Sequence, residues 1–393
     1  MKTTIEANVD TGCSDVSLVR GGPFYQILKV LRLIHRDRWC FLRQITFIIA
    51  IGWLPLLLIT LLFRREALMS FLRDYRIHSR MLISVPVLLL NQGLMEFRFR
   101  TVLEHIRNAR LLADADLLRT DGFMVGVRRL RDSVLPELVI LLLVFAHTYF
   151  SLPKMADVTP WLATATGTSL HLTPAGWYTA LISATIFQFL VGLSLWKWLL
   201  WSIFAFRLSR LRLNLFPAHP DRRGGLGFLG LTPVAFAPIS FAVTAVVGAT
   251  WRHEILHHNA HLIDFKLPAI ALVAVVAVLA LLPLLFFVPR LGVLRRKGIL
   301  EYSTLGQIQT SAFHEKWITH RAGRESQLLT EMESSNVIDY SRTYDRVKEM
   351  IPLPVDRGTF IPLALSIVIP ALPTILAEIP VAVALKDLFK ALR

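Results

Sequence analysis

The sequence predicts an all-α polytopic membrane protein, a helix bundle of six or seven spans with interfacial and cytoplasmic helices attached. Two observations carry that prediction. Seven apolar stretches, at about 44–63, 81–97, 134–152, 176–196, 229–251, 267–288 and 361–383, reach or approach the length that crosses a bilayer, for which a helix uses roughly 20 mainly apolar residues. The chain of 393 residues is also 54% hydrophobic, with a mean hydropathy of +0.53, whereas a soluble domain buries its apolar residues without several uninterrupted runs of this kind.

Taken in order, residues 1–22 are polar and lack a continuous apolar core before a cleavage site. No removable signal peptide is therefore expected, and the first span serves as the insertion signal. Residues 23–43 place Phe24, Ile27, Leu28, Leu31 and Ile34 at helical spacing, with Lys29, Arg32 and Arg36 on the other side. That pattern predicts a basic interfacial helix closing the segment 1–43. The membrane bundle occupies 44–290, and within it the connector 98–133 is helix-patterned.

The fourth apolar stretch runs on through Lys197 to Arg210. Flanked by Trp196, Trp198 and Trp201, Lys197 reads as a lysine snorkelling from an aromatic belt. Segment 291–360 repeats apolar residues at helical spacing, through Ile299, Tyr302, Leu305 and Ile308. It is too short and too polar for an enzyme core of its own, and is expected to pack beneath the membrane helices. The final segment, 361–393, contains Pro362, Pro370, Pro373 and Pro380, which predict a broken membrane segment that either crosses or re-enters.

Net charge is +15, but the arginines lie beside the apolar runs, where they meet anionic lipid headgroups and set orientation. The lipid bilayer is thus the expected partner, with a homo-oligomer besides, and no nucleic acid, because no separate basic face is visible. Seven Lys or Arg precede the first span, eight arginines lie in 98–133, five in 206–223, and ten Lys or Arg in 291–360. One lysine lies in 154–175, and 252–266 holds only Arg252 and Lys266. The positive-inside rule then puts the amino terminus in the cytoplasm. One connector objects: 64–80 carries Arg64, Arg65, Arg73, Arg76 and Arg80 yet falls outside. The two cysteines, Cys13 and Cys40, precede the first span and stay reduced on the cytoplasmic side.

Three motifs could carry chemistry. His253-Glu254-Ile255-Leu256-His257 is a literal HExxH, in which two histidines four apart share a helix face and can hold zinc while Glu254 acts as general base. His261 would continue that face as a third ligand, a placement that strains tetrahedral convergence. The alternatives are another metal or a proton-linked role, and a solvated histidine cap. Next, Gly225–Gly230 satisfies GxGxxG, but no strand precedes it and no βαβ unit follows. Its physical content is close backbone approach and free amides, so that Arg222, Arg223, Gly224, Gly225 and Gly227 could hold a lipid phosphate or another anion, the alternative being a tight turn with glycine-mediated packing. Third, Pro370, Pro373 and Glu378 are candidates to line a permeation path, because an ionisable residue in a membrane segment is a functional candidate by default. Glu378 could instead pair with Lys386 at the interface. Other intramembrane polar residues are Asn91, Gln92, Glu96, Glu137, His147 and Gln188, with Glu96 and Glu137 expected to pair with Arg98 and Arg131.

The turn His219-Pro220-Asp221-Arg222-Arg223-Gly224-Gly225-Leu226-Gly227-Phe228-Leu229-Gly230, the PRL and basic run at 289–297, the stretch from Ile338 to Pro354 and the PALPTILAEIP string at 370–380 together resemble a functionally uncharacterised family of bacterial multipass inner-membrane proteins. The resemblance extends from the first span onward. It implies a bacterial inner-membrane location and no particular activity. HExxH is not part of the family pattern. Two irregular backbone sites inside otherwise apolar segments, the glycine turn at 217–230 and the proline-rich string at 370–380, point instead to a permeation path, so that a channel or transporter of unspecified solute, without a cofactor, is expected. The alternatives are a zinc-dependent membrane hydrolase using 253–257, and a scaffold or sensor that meets a cytoplasmic partner through 291–360.

Overall fold

Seven helices are long and apolar enough to cross a membrane: Phe41–Phe63, Tyr75–Asn108, Val134–Ser151, Pro174–Ser209, Gly227–His257, Leu262–Leu285 and Arg357–Glu378. They are seen in a computed structural model that describes residues 17–35, 38–112, 114–156, 159–166, 169–319 and 331–378. The chain is a polytopic, all-α membrane protein. Among the described residues the only strands are two short antiparallel pairs, Ile34–His35 with Arg38–Trp39 and Ala163–Thr166 with Ser169–Leu172. In the fifth, second and fourth spans 61%, 50% and 44% of the most apolar stretch is buried, against 17% to 22% in the other four. These three form the centre and the rest surround them. Leu138, Leu142 and Leu143 of the third span, and Leu267, Ile270 and Val278 of the sixth, stay exposed, an apolar surface of an extent that water-soluble monomers do not present.

The connectors sort onto two faces. On one, Gly22 N–H donates to Asp132 at 3.1 Å, Asn214 N–H to the Leu111 carbonyl at 2.9 Å and Ile351 N–H to the Arg222 carbonyl at 2.8 Å. These bonds join the amino-terminal segment, the helix Asp114–Asp132, the 210–226 turn and the segment before the seventh span. On the opposite face Arg64 donates to the Pro160 carbonyl at 3.0 Å and Trp161 Nε1 to Asp74 at 3.2 Å. The basic connectors thus share one face, and 64–74, 159–173 and 252–266 share the other. The arginines of 64–80 that oppose the charge rule are partly tied down: Arg64 by that carbonyl, and Arg76 by a two-point contact with Asp74 at 2.8 and 3.0 Å.

The seventh span is one continuous helix over its described residues, lying against the fifth. It begins beside the fifth, where Thr359 Oγ1 donates to the Gly230 carbonyl at 2.8 Å. Midway, Thr374 Oγ1 donates to the Gly248 carbonyl at 2.8 Å. It ends with Glu378 accepting from the backbone of Leu262. The two spans run parallel over their full length, so the seventh does not turn back. The expectation of a proline-broken segment is corrected as well: the helix Arg357–Glu378 continues through Pro362, Pro370 and Pro373. Close support from a neighbouring helix makes such prolines tolerable in lipid. Pro380 and Lys386 lie outside the described residues.

Elsewhere the cost of a proline is met by named donors. Pro55 cannot bond to the Ile51 carbonyl, the first span divides at Trp53, and Tyr178 from the fourth span donates its hydroxyl to that carbonyl at 2.7 Å. Pro283 likewise frees the Leu279 carbonyl, which accepts Trp198 Nε1–H at 2.8 Å. Each proline removes one backbone donor, and an aromatic side chain from the fourth span replaces it.

The predicted interfacial helix over 23–43 is shorter than expected, ending at Val30. Arg32 takes a positive φ of 55°, Leu33 N–H returns to the Leu28 carbonyl at 2.9 Å, and the paired strands Ile34–His35 and Arg38–Trp39 follow before the first span. Beneath the basic face, helices Val288–His314 and Glu331–Lys348 lie antiparallel, with Tyr340 bonded to the Tyr302 carbonyl and Arg295 donating to the Lys348 carbonyl at 2.9 Å.

Candidate functional site

Buried polar side chains run through the central three spans from one face towards the other. At the basic end Lys197 is only 4% exposed. Its ammonium donates to Gln92 Oε1, whose amide nitrogen donates to Ser194 Oγ at 3.2 Å. Lys197 is therefore not a snorkelling residue. Trp198 and Trp201 face the core, Trp201 stacking on Phe99 at 4.6 Å, and carry the lysine inward with them. Glu137 and Glu96 are its nearby opposite charges.

The expected pairs Glu96–Arg98 and Glu137–Arg131 are replaced. Glu96 accepts the Ser17 hydroxyl at 2.6 Å and lies 3.7 Å from Arg20, while Glu137 accepts Phe24 N–H at 2.8 Å. Arg131 instead pairs with Asp132 at 2.7 Å. The segment 17–24 folds across the basic-face ends of the second and third spans and supplies these partners.

Outward from Lys197, Asn91, Ser240, Thr244 and Ser183 are buried with polar side-chain atoms that have no protein partner. Between them, Ser84 and Ser79 donate to the Ala242 and Ala245 carbonyls at 3.0 and 2.9 Å, crossing from the second span to the fifth. Two π-helical turns, Ser79–Ser84 and Thr179–Ser183, lie in the outer parts of the second and fourth spans. Such turns are rare and concentrate at functional sites. Sequence alone named Asn91, Gln92, Glu96 and Glu137, but not the serines and threonines. Those are common in membrane helices, and only packing distinguishes an inward hydroxyl from one bonded to its own helix.

At the opposite face the HExxH motif ends the fifth span. His253 is 4% exposed, its Nε2 has no protein partner, and its ring lies 4.4 Å from that of His257. Glu254 is half-buried. The helix stops at His257, and Asn259 takes a φ of 51°, so His261 does not continue the helix face as expected. It caps the following turn instead, its Nδ1 3.3 Å from Glu378. Among the described residues no three His, Cys, Asp or Glu side chains converge as ligands for a metal ion. His253, His257 and His258 line a cavity of about 500 Å³ with Ser70, Arg73, Asp74 and Thr159. Burial pushes the Asp74 carboxyl up, but the hydrogen bonds and charge of Arg76 outweigh it and hold the group below the usual carboxylate range.

The glycine-rich turn has an internal occupant. Asp221 accepts N–H bonds from Arg223 at 2.7 Å, Gly225 at 3.1 Å and Gly227 at 2.8 Å, and lies 2.8 Å from His219. The amides that could cradle an anion thus already hold a carboxylate of the chain itself. Gly224 and Gly225 take φ of 67° and 94°, which L side chains rarely adopt. Arg223 bonds the Val355 carbonyl and Arg222 lies 3.1 Å from Glu349, so both anchor the start of the seventh span. Pro370, Pro373 and Glu378 all sit on that span, where the Pro370 carbonyl packs against Gly248 of the fifth. Glu378 borders a separate, mainly apolar groove with Trp251, Phe265 and Lys266.

Comparison with protein-family models, with curated proteins and with solved structures gave no match.

Proposed function

We propose that the chain is a transport or channel protein of a bacterial inner membrane, moving a small polar or charged solute along the seam between the second, fourth and fifth spans. Its amino terminus and the helices 288–348 lie in the cytoplasm. The observation that carries the reading is the succession of buried polar groups without protein partners, from His253 through Thr244, Ser240 and Asn91 to the Lys197–Gln92 pair. A buried polar atom left unbonded costs about 1–3 kcal/mol. A protein selected only for stability would replace these side chains with apolar ones, and polar residues inside a membrane bundle mark solute and ion pathways. The basic connectors gathered on one face support the orientation. The glycine turn and the seventh span, first expected to line the path, serve here as its outer brace.

Flux through the purified protein in liposomes tests this. Protons and small inorganic ions are followed with entrapped dyes, with Asn91→Leu and Lys197→Met compared against the unmodified chain. Flux that falls at least about tenfold in both variants, while both retain the wild-type detergent elution profile, is expected. Equal flux in the variants would overturn the seam as the path.

A further inference from the structure

We infer that the cavity on the face opposite the basic connectors binds a phosphate-bearing small molecule through Arg73, His253, His257, His258, Thr159 and Ser70. Three separate segments build it: the connector between the first and second spans, the residues before the 163–172 hairpin, and the end of the fifth span. Two buried polar atoms in its wall, His253 Nε2 and Thr159 Oγ1, have no protein partner. His253 is 4% exposed, so its ring is held by the packing around it. Arg73 is exposed and makes no ion pair among the described residues.

The chemistry of the wall selects the ligand. Its groups are a guanidinium, three imidazoles and two hydroxyls, a donor-rich set suited to an oxyanion. Donors arriving from three separate segments can surround a tetrahedral oxyanion, and a phosphate presents oxygens in as many directions. The one carboxylate present, Asp74, has both oxygens engaged, by Arg76 at 2.8 and 3.0 Å and by Trp161 at 3.2 Å. Its charge is compensated, so it neither repels an anion strongly nor offers a free oxygen to a cation. A volume of about 500 Å³ lies within the range of small-molecule sites and leaves room for an organic group beyond the phosphate. The inference shares His253 with the transport reading, but the two are tested apart, because binding is read at equilibrium in detergent and flux is read across a bilayer.

Isothermal titration of the full chain in detergent at low salt, with sodium chloride at matched ionic strength as control, decides the matter. The probes are inorganic phosphate, glycerol 3-phosphate and a soluble short-chain phosphatidic acid. Saturable binding of at least one is expected, weakened about tenfold or more by Arg73→Gln and by His257→Asn. Both residues are exposed, so neither variant disturbs the core, and thermal unfolding confirms that each is folded. Tighter binding of phosphatidic acid would make the natural ligand a lipid headgroup, and tighter binding of glycerol 3-phosphate a free ester. Absence of saturable binding by all three, or binding unchanged in both variants, would overturn the site.

Discussion

Tyr178 and Trp198 each spend a hydrogen-bond donor on a carbonyl that a proline has released in a neighbouring helix. Removing the hydroxyl by Tyr178→Phe, or the indole donor by Trp198→Phe, leaves that carbonyl unbonded at a cost of about 1–3 kcal/mol. Each variant should therefore unfold at a lower temperature in detergent, with Trp198→Phe also losing buried volume. Asp221 makes a second prediction at this scale. Burial pushes its carboxyl up, but the N–H bonds from Arg223, Gly227 and Gly225, with His219, outweigh that and hold it below the usual value. A lowered folded-state value means the stabilisation is fully present above the unfolded carboxylate pKa and is lost as pH falls through the folded one. Acid unfolding followed by tryptophan fluorescence should begin at higher pH in Asp221→Asn than in the unmodified chain. Sequence reading identified this turn and left open an external anion or a tight packing turn, because spacing shows which amides are free in principle and not that Asp221, a few residues earlier, folds back to take them.

Between helices, the most extensive contact among the described residues is that of the parallel fifth and seventh spans. A side-chain carbon on Gly248 would lie 3.0 Å from Thr374 Oγ1 and 3.3 Å from the Pro370 carbonyl oxygen, so any side chain there makes the seventh helix give way by a few tenths of an ångström. Gly248→Leu should separate them, break the Thr374 bond and lower stability by roughly 1–3 kcal/mol, as overpacking does. Chymotrypsin cleavage within 357–378 should accelerate in that variant. The elements themselves were largely legible: each of the seven apolar runs coincides with a span, because a continuous apolar run admits few other readings. Their joints were not. The proline-rich segment looked broken because a proline's damage is visible in sequence while its repair lies on another helix, and Lys197 looked peripheral because its tryptophans turn inward instead of towards headgroups.

For the molecule as a whole, the two faces make a prediction about access. In a chain carrying Cys13→Ser and Cys40→Ser, a single cysteine introduced as His261→Cys should react with a membrane-impermeant maleimide added to intact cells. One introduced as Glu301→Cys should react only after the membrane is opened. Both positions are exposed, with side chains 71% and 58% accessible, so the difference reads sidedness. Labelling of both from the same side would remove the seven-span topology.

The parallel pairing of the fifth and seventh spans also dictates an order of events during synthesis. The fifth reaches the membrane with the carbonyls of Gly230 and Gly248 on the flank that Thr359 and Thr374 later occupy, and those threonines are made only after the sixth span and the whole of 288–348. Until the ribosome delivers them, that flank must be lined by lipid or by the insertion machinery. Maturation of the nascent protein is therefore gated by its seventh helix, and a message cut short before codon 357 would yield a half-zipped product for the cell's membrane proteases to clear.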